Sequence, residues 1–268
     1  MGGGHMAGAL IGGLLRRGFP SARISVADPS AAALERLANT FAVATFADNA
    51  AAVEGADTVV LAVKPQHLRA VARALASQLA RTADVLVISI AAGIPYAALR
   101  RWCGEHPGLV RTMPNQPALA GCGVTALYAP SGQLKAAARA RAESVMASVG
   151  ATVWLEDEVQ MDVVTALSGS GPAYFFRFME LLEQAAHERG LPAAIARTLT
   201  LETAYGAAQL ARTSDDPLAT LRERVTSRGG TTAAALDAFE AGGLGALVAA
   251  ALDAAIRRAA ELGREYGP

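Results

Sequence analysis

The feature that most restricts this chain is a change of pattern near its middle. Up to about Glu156, compact runs of Val, Ile and Leu alternate with helical stretches; beyond it only helical stretches follow. Arg23–Asp28, Val43–Phe46, Thr58–Val63, Val85–Ile90 and Leu109–Met113 read as strands. Most are continuous apolar runs without strict alternation, the signature of parallel strands buried on both faces. Helical patterns fill the gaps at Ala7–Arg17, Ser30–Asn39, Gln66–Arg81 and Pro95–Cys103. Strand and helix in that order predict a doubly wound parallel sheet of the Rossmann type. Further short strands are expected at Val124–Tyr128 and Thr152–Leu155, with a helix across Gln133–Val149. The second half reads as helices at Pro172–Arg189, Pro192–Arg212, Pro217–Arg224, Thr232–Glu240 and Leu244–Tyr266. Proline at helix starts and glycine just past helix ends follow the usual asymmetry. The expected layout is an α/β dinucleotide-binding domain over residues 1–157 and an all-helical domain over 158–268.

Composition removes several classes of function. The 268 residues carry 24 basic and 24 acidic side chains, a formal net charge of zero, so binding to nucleic acid by phosphate neutralisation is not expected. A hydrophobic fraction of 52% against 18% charged excludes an intrinsically disordered chain. Two cysteines, Cys103 and Cys122, cannot form a disulfide framework, and a reducing, cytoplasmic location is expected. The charge-free run between Arg111 and Lys135 is broken by Pro114, Pro117, Gly121, Gly123, Pro130 and Gly132, so no membrane span is expected there. The opening Met1–Leu15 lacks a basic n-region and is not read as a signal peptide. Leu244–Ile256 is apolar nearly all round, which requires burial in a core or against another subunit.

The chain opens Gly2-Gly3-Gly4-His5-Met6-Ala7, a G-x-G-x-x-A pattern leading into a helix. Glycines there permit a tight turn and close backbone approach to a pyrophosphate seated on the helix N-terminus. Asp28 ends the following strand about twenty residues on, where a ribose-binding acid belongs. A Rossmann unit has a buried strand ahead of these glycines, and only Met1 precedes them; the sheet is therefore expected to lack most or all of its first, central strand. Ala62-Val63-Lys64-Pro65 and Ala91-Ala92-Gly93 each follow a strand directly, and Met113-Pro114-Asn115 does the same. Any one could be an ordinary turn, but three at the carboxyl ends of parallel strands make a cofactor rim.

Two glycine-rich stretches remain in the second half. Ser168-Gly169-Ser170-Gly171-Pro172-Ala173-Tyr174 reads as a short defined loop feeding a helix. Thr226-Ser227-Arg228-Gly229-Gly230-Thr231-Thr232 combines glycine N–H groups, hydroxyls and a helix start. Thr231 or Thr232 capping the helix explains part of it, and a carboxylate nest would explain the rest. His5, His67, His106 and His187 have no metal-ligand spacing, and no metal site is expected. No nucleophile elbow is present, and the acidic run Glu156-Asp157-Glu158 reads as a solvated helix start. A bound nicotinamide would then carry the chemistry.

Taken together, GGGHMA, AVKP, ISIAAG, MPN, MDVVTALSGSGPAYFF and ERVTSRGGTTAAALDAFEAGG resemble the pyrroline-5-carboxylate reductase family over nearly the whole chain. The resemblance implies NADPH- or NADH-dependent reduction of the cyclic imine 1-pyrroline-5-carboxylate to L-proline. It also implies a helical dimerisation domain, a homodimer, and in some members a decamer of five dimers. It places cofactor contacts at Gly2, Gly4, His5, Met6, Asp28, Asn49, Ala62, Val63, Lys64, Pro65, Ala91, Ala92 and Gly93. Substrate contacts fall at Ser227, Gly229, Gly230, Thr231 and Thr232, with Thr232 as the catalytic hydroxyl. Arg228 stands where the family usually has proline, and His5 where it commonly has Asn or Gln. Asp28 favours NADH, and Asp28-Pro29-Ser30 lacks a nearby arginine to hold a 2′-phosphate, although Ser30 and Asn49 could contribute hydrogen bonds; both cofactors are expected to work. A β-hydroxyacid reductase on a similar plan would need a lysine on the helical domain, and none occurs after Glu156. A cofactor-binding scaffold without activity is opposed by the intact TSRGGTT and SGSGPAY stretches.

Overall fold

The computed structural model describes residues 1–81 and 84–267. They divide into two compact units, Met1–Ser170 together with the chain from Ala254 on, and Gly171–Asp253.

The first unit alternates α1 (His5–Arg16), β1 (Ser25–Ala27), α2 (Ala31–Phe41), β2 (Ala44–Phe46), α3 (Asn49–Val53), β3 (Thr58–Leu61), α4 (Pro65–Leu79), β4 (Leu86–Ser89), α5 (Tyr96–Trp102) and β5 (Leu109–Met113). It continues through β6 (Gly123–Tyr128), α6 (Ala136–Ala147), β7 (Gly150–Trp154) and α7 (Gln160–Val164). Strands β3, β4 and β5 pair in parallel, as their apolar runs predict. Every residue of β4 is buried. One departure follows from chain length: β6 runs antiparallel to β5, because Pro114–Cys122 holds only a 3-10 turn and cannot make a crossover. β7 then pairs parallel with β6.

Helices cover both faces of this sheet. Leu68, Leu75, Leu79, Leu99 and Trp102 of α4 and α5 pack on Val59, Leu61, Val87 and Leu109. On the opposite face, Leu10 of α1 and Met146 of α6 pack on Leu86, Ile88, Val110 and Leu127. Each fully buried leucine contributes about 1.5–3 kcal/mol, so this double layer anchors the unit. A Cβ at Gly13 would lie 2.4 Å from the Ser148 carbonyl oxygen, so glycine there lets α1 press against the end of α6. The described sheet is split, however. β1 pairs only with β2, in parallel, and the five strands β3 to β7 form a separate sheet. No strand lies between β1 and β3 among the described residues.

The second unit holds α8 (Gly171–Glu188), α9 (Ala193–Thr213), α10 (Leu218–Arg224), α11 (Thr231–Ala241) and the first part of α12 (Leu244–Tyr266). α8 turns into α9 through Gly190 at φ +97°, a left-handed position suited to glycine. Phe178 and Phe239 meet with ring centroids 6.0 Å apart. Within this unit only Gly171 and Ala196 are buried, while Phe175 is 71% and Tyr205 63% exposed. Leu247 and Val248 of the apolar stretch in α12 are exposed too, while Leu244, Leu252 and Ile256 are half-buried. No single described helix is long and apolar enough to cross a membrane; α11 and α12 together pass by length and composition, but as a pair bent by 54°.

Candidate active site

The carboxyl ends of the parallel strands gather the residues expected to hold a cofactor. Gly2 donates its N–H to the Ala27 carbonyl at 2.8 Å, and Ala62 donates to the Met1 carbonyl at 2.7 Å, which ties the glycine turn to both β1 and β3. Gly2 has φ +92°, and a Cβ there would sit 2.5 Å from the Ala62 oxygen. Only glycine brings this turn so close to the Ala62–Pro65 loop. Gly4 serves as N-cap of α1 without any side-chain cap, and a Cβ on it would meet nothing within 4 Å. The first N–H groups of α1 therefore face an open approach, beside His5 and Met6. This cradle fits a pyrophosphate.

Asp28 is set differently from the simple expectation. Its Oδ2 accepts from Gly3 N at 2.7 Å and its Oδ1 from Ser30 N at 2.8 Å, so the carboxylate clasps the glycine turn to the start of α2. Ser30 caps α2 by accepting from Ala33 N at 3.3 Å. The expectation that no arginine lies near Asp28 is corrected by the structure. Arg36 reaches back from α2 and donates to the Gly3 carbonyl at 2.7 Å. Ala33, Arg36 and Leu37 share one helix face, and Gly3 packs against Ala33 and Leu37. That spacing was the available signal. Asn49 opens α3 just beyond β2, with Asp48 as the cap.

Lys64 is the N-cap of α4 and is exposed, with Pro65 in the first turn. Ala91, Ala92 and Gly93 follow β4; Gly93 has φ +73° and a Cβ there would approach Leu262 of α12 at 3.3 Å. Asn115 at the end of β5 is a brace: its Oδ1 accepts from Val124 N at 2.9 Å and its Nδ2 donates to the Ser168 carbonyl at 3.0 Å. The residues it reaches are not a loop. Thr165–Gly169 form a π-helical turn, so SGSGPAY continues a nearly unbroken helical run from α7 towards α8. Thr165 and Ser168 hydroxyls donate to carbonyls four residues back, at 2.8 and 3.0 Å, which accounts for the irregularity.

Glu158 is the bracing residue that the sequence reading missed. It is no solvated helix start: its Oε1 accepts from Arg111 Nη1 at 2.5 Å and from Tyr96 N at 2.6 Å. It thus pairs a buried guanidinium on β5 and caps α5, the helix that follows the Ala91–Gly93 loop. Burial pushes the Tyr96 hydroxyl up to about 12, so it stays protonated and donates to Gln133 Oε1 at 3.0 Å. His106 is structural, its Nε2 2.6 Å from the Val85 carbonyl.

The second unit carries the TSRGGTT stretch. Gly229 sits at φ +71°, and Gly230 N–H donates to the Ser227 carbonyl at 3.0 Å, closing a tight turn into α11. Capping by threonine is corrected: Gly230 is the N-cap, with no side-chain cap, and Thr231 is the first helical residue. A Cβ at Gly230 would lie 2.4 Å from Ser227 Oγ, so glycine lets that hydroxyl fold over the turn. Helix α11 thus presents uncapped N–H groups with the hydroxyls of Ser227, Thr231 and Thr232 beside them. Thr231 is exposed and Thr232 half-buried. Such a turn can hold a carboxylate.

A parallel sheet with a glycine turn at its carboxyl edge, joined to a helical unit, defines a nicotinamide-dependent oxidoreductase. Residues 1–93 match the family described as NADP oxidoreductase coenzyme F420-dependent, and residues 158–262 match the pyrroline-5-carboxylate reductase dimerisation family. The chain is 48% identical to the pyrroline-5-carboxylate reductase of Pseudomonas aeruginosa over 267 residues, which covers 100% of this chain and 97% of that protein. The structure of a pyrroline-5-carboxylate reductase from Coxiella burnetii superposes with a TM-score of 0.92 at 40% identity, over 97% of this chain and 96% of the other. The Plasmodium falciparum pyrroline carboxylate reductase, solved with NADP bound, gives a TM-score of 0.85 at 27% identity, over 98% and 96%. The chain belongs to the pyrroline-5-carboxylate reductase family.

Proposed function

We propose that this chain reduces 1-pyrroline-5-carboxylate to L-proline with NADPH or NADH, the last step of proline biosynthesis, in the cytoplasm. The observation that carries the reading is the 48% identity to a pyrroline-5-carboxylate reductase across the entire chain. When bound, the reduced nicotinamide supplies the hydride that adds to the ring carbon of the C=N bond.

The residues of the chain do the rest. The pyrophosphate rests on Gly2, Gly4, His5 and Met6 at the start of α1, with Ala62–Pro65 and Ala91–Gly93 along the rim. Asp28 and Asn49 face the adenosine end. Because both Asp28 oxygens already accept backbone N–H groups, it orders the turn more than it repels a 2′-phosphate. The exposed Arg36 guanidinium supplies the cation such a phosphate needs, which tilts a dual-specificity site towards NADPH. In the TSRGGTT turn, the N–H groups of Gly229, Gly230 and Thr231 with the Ser227 hydroxyl hold the substrate carboxylate. Thr232 hydrogen-bonds the imine nitrogen and fixes the ring. A protonated imine is already electrophilic, so alignment supplies most of the acceleration and no strong acid is needed.

The working assembly is a homodimer in which the turn of one subunit serves the rim of the other, and five dimers closing into a decamer is the higher assembly. The near absence of buried residues in the helical unit supports this, since exposed side chains such as Phe175, Phe176, Tyr205 and Leu247 gain cover only from a second copy. The test is loss of NADPH absorbance on adding pyrroline-5-carboxylate, with proline identified as product. Oxidation of NADPH by a β-keto acid but not by the imine would overturn the reading.

A further inference from the structure

We propose that Leu262 and Tyr266, at the carboxyl end of α12, are positioning residues that hold the Ala91–Gly93 loop in place for the nicotinamide end of the cofactor, a role that rests on reading that loop as part of the cofactor rim. α12 starts in the helical unit, but the chain from Ala254 on belongs to the first unit. There its last two turns lie directly over the loop that follows β4. A Cβ at Gly93 would stand 3.3 Å from the Leu262 Cβ and 3.7 Å from Tyr266 Cδ2, and one at Gly263 would stand 3.7 Å from the Gly93 carbonyl oxygen. Glycine on both sides lets helix and loop approach at backbone distance, and Gly93, at φ +73°, holds a conformation that other residues rarely adopt.

The contact continues past Gly93. A Cβ at Gly267 would lie 3.0 Å from Pro95 Cδ, and the Gly267 carbonyl accepts from Arg101 Nη2 of α5 at 3.0 Å. Gly267 N donates to the Gly263 carbonyl at 3.0 Å, which carries the helical path to that point. Tyr266 packs on the apolar cluster that contains Ile94 and Leu99, both fully buried. On the neighbouring exposed face Arg258 pairs with Glu261 and Glu265 at 2.8 Å each. The row one position on, formed by the buried Ala259 and the half-buried Leu262 and Tyr266, is the one turned to the loop.

The loop cannot hold this shape through its own side chains. Ala91 and Ile94 are buried, while Ala92 and Gly93 between them are half-buried and bring almost no side chain to anchor. Glu158 fixes the following turn by accepting from Tyr96 N at 2.6 Å, and α12 closes on Gly93 and Pro95 from its own side. Removing the α12 contact therefore frees Ala92 and Gly93 and leaves the start of α5 capped. A misplacement on the order of 1 Å at such a distance from the chemistry can cost up to about 10²-fold in rate.

The test compares Leu262→Ala, Tyr266→Ala and Tyr266→Phe with the parent chain. Calorimetric titration reads the binding of NADPH and of 2′,5′-ADP, which lacks the nicotinamide end, and amide exchange is followed without nucleotide. Both alanine variants are expected to bind NADPH about tenfold more weakly and 2′,5′-ADP as the parent does. Exchange should quicken at Ala92 and Gly93 and stay slow in the buried strand Leu86–Ser89. Tyr266→Phe keeps the ring and should match the parent. Equal weakening of both nucleotides, or faster exchange in β4 together with the loop, would mark a general loss of structure and overturn the proposal, as would unchanged NADPH binding in both alanine variants. Turnover of pyrroline-5-carboxylate by the parent is read separately: NADPH binding without turnover would fail the reading of the substrate, and the titrations would still decide the role of α12.

Discussion

Replacing Glu158 by alanine is the perturbation whose cost can be worked most directly. Arg111 is 7% exposed and its guanidinium is held by the Glu158 carboxylate at 2.5 Å. Removing one partner of a buried ion pair costs about 3–5 kcal/mol, because the remaining charge stays buried and unpaired. Tyr96 N–H also loses its acceptor at the start of α5, worth about 1 kcal/mol. Glu158 keeps 28% of its side chain in water, so the ion-pair loss belongs at the lower end of its range. A total of about 3–4 kcal/mol lowers the melting temperature by roughly 6–16 °C for a domain of this size. Differential scanning fluorimetry of E158A, E158Q and the double variant R111M/E158L reads the effect. E158Q, which keeps a neutral acceptor, should lose less, and the double variant should recover much of the loss by removing both charges. An E158A melting temperature within a degree of the parent, or a double variant no better than E158A, would refute the reasoning.

Two further outcomes follow from the same geometry. Thr232→Ala should lower turnover by about 10²-fold or more while NADPH affinity, measured by fluorescence titration, stays unchanged; a fall in affinity alone contradicts the assigned role. Arg36→Ala should reduce the ratio of NADPH to NADH efficiency and weaken binding of 2′,5′-ADP more than that of ADP, and equal effects on both nucleotides would remove Arg36 from cofactor choice.

Much of the architecture was legible because its causes are local. Compact apolar runs such as Leu86–Ser89 can only be strands covered on both sides, and prolines at 65, 172, 192 and 217 mark helix starts. The glycine turn and the strand-end loops were also legible, since a positive-φ glycine and a loop directly after a strand are local features of the backbone. What stayed hidden depends on partners distant in sequence. Glu158 sits 47 positions from Arg111, and nothing in an acidic tripeptide announces a buried guanidinium. Arg36 lies 33 positions from Gly3 and could be found only by placing it on the face of α2 shared with Ala33 and Leu37. The π-helical turn at Thr165–Gly169 arises from hydroxyl bonds to the preceding turn, which glycine and serine content alone presents as a loop.

The crystallographic position of L-proline in the presence of NADPH bears most directly on the central claim. The carboxylate is predicted to lie against the N–H groups of Gly229, Gly230 and Thr231, with the ring nitrogen within hydrogen-bond reach of Thr232 and the nicotinamide at the rim formed by residues 62–65 and 91–93. A carboxylate bound elsewhere, with the TSRGGTT turn touching neither product nor cofactor, would contradict it.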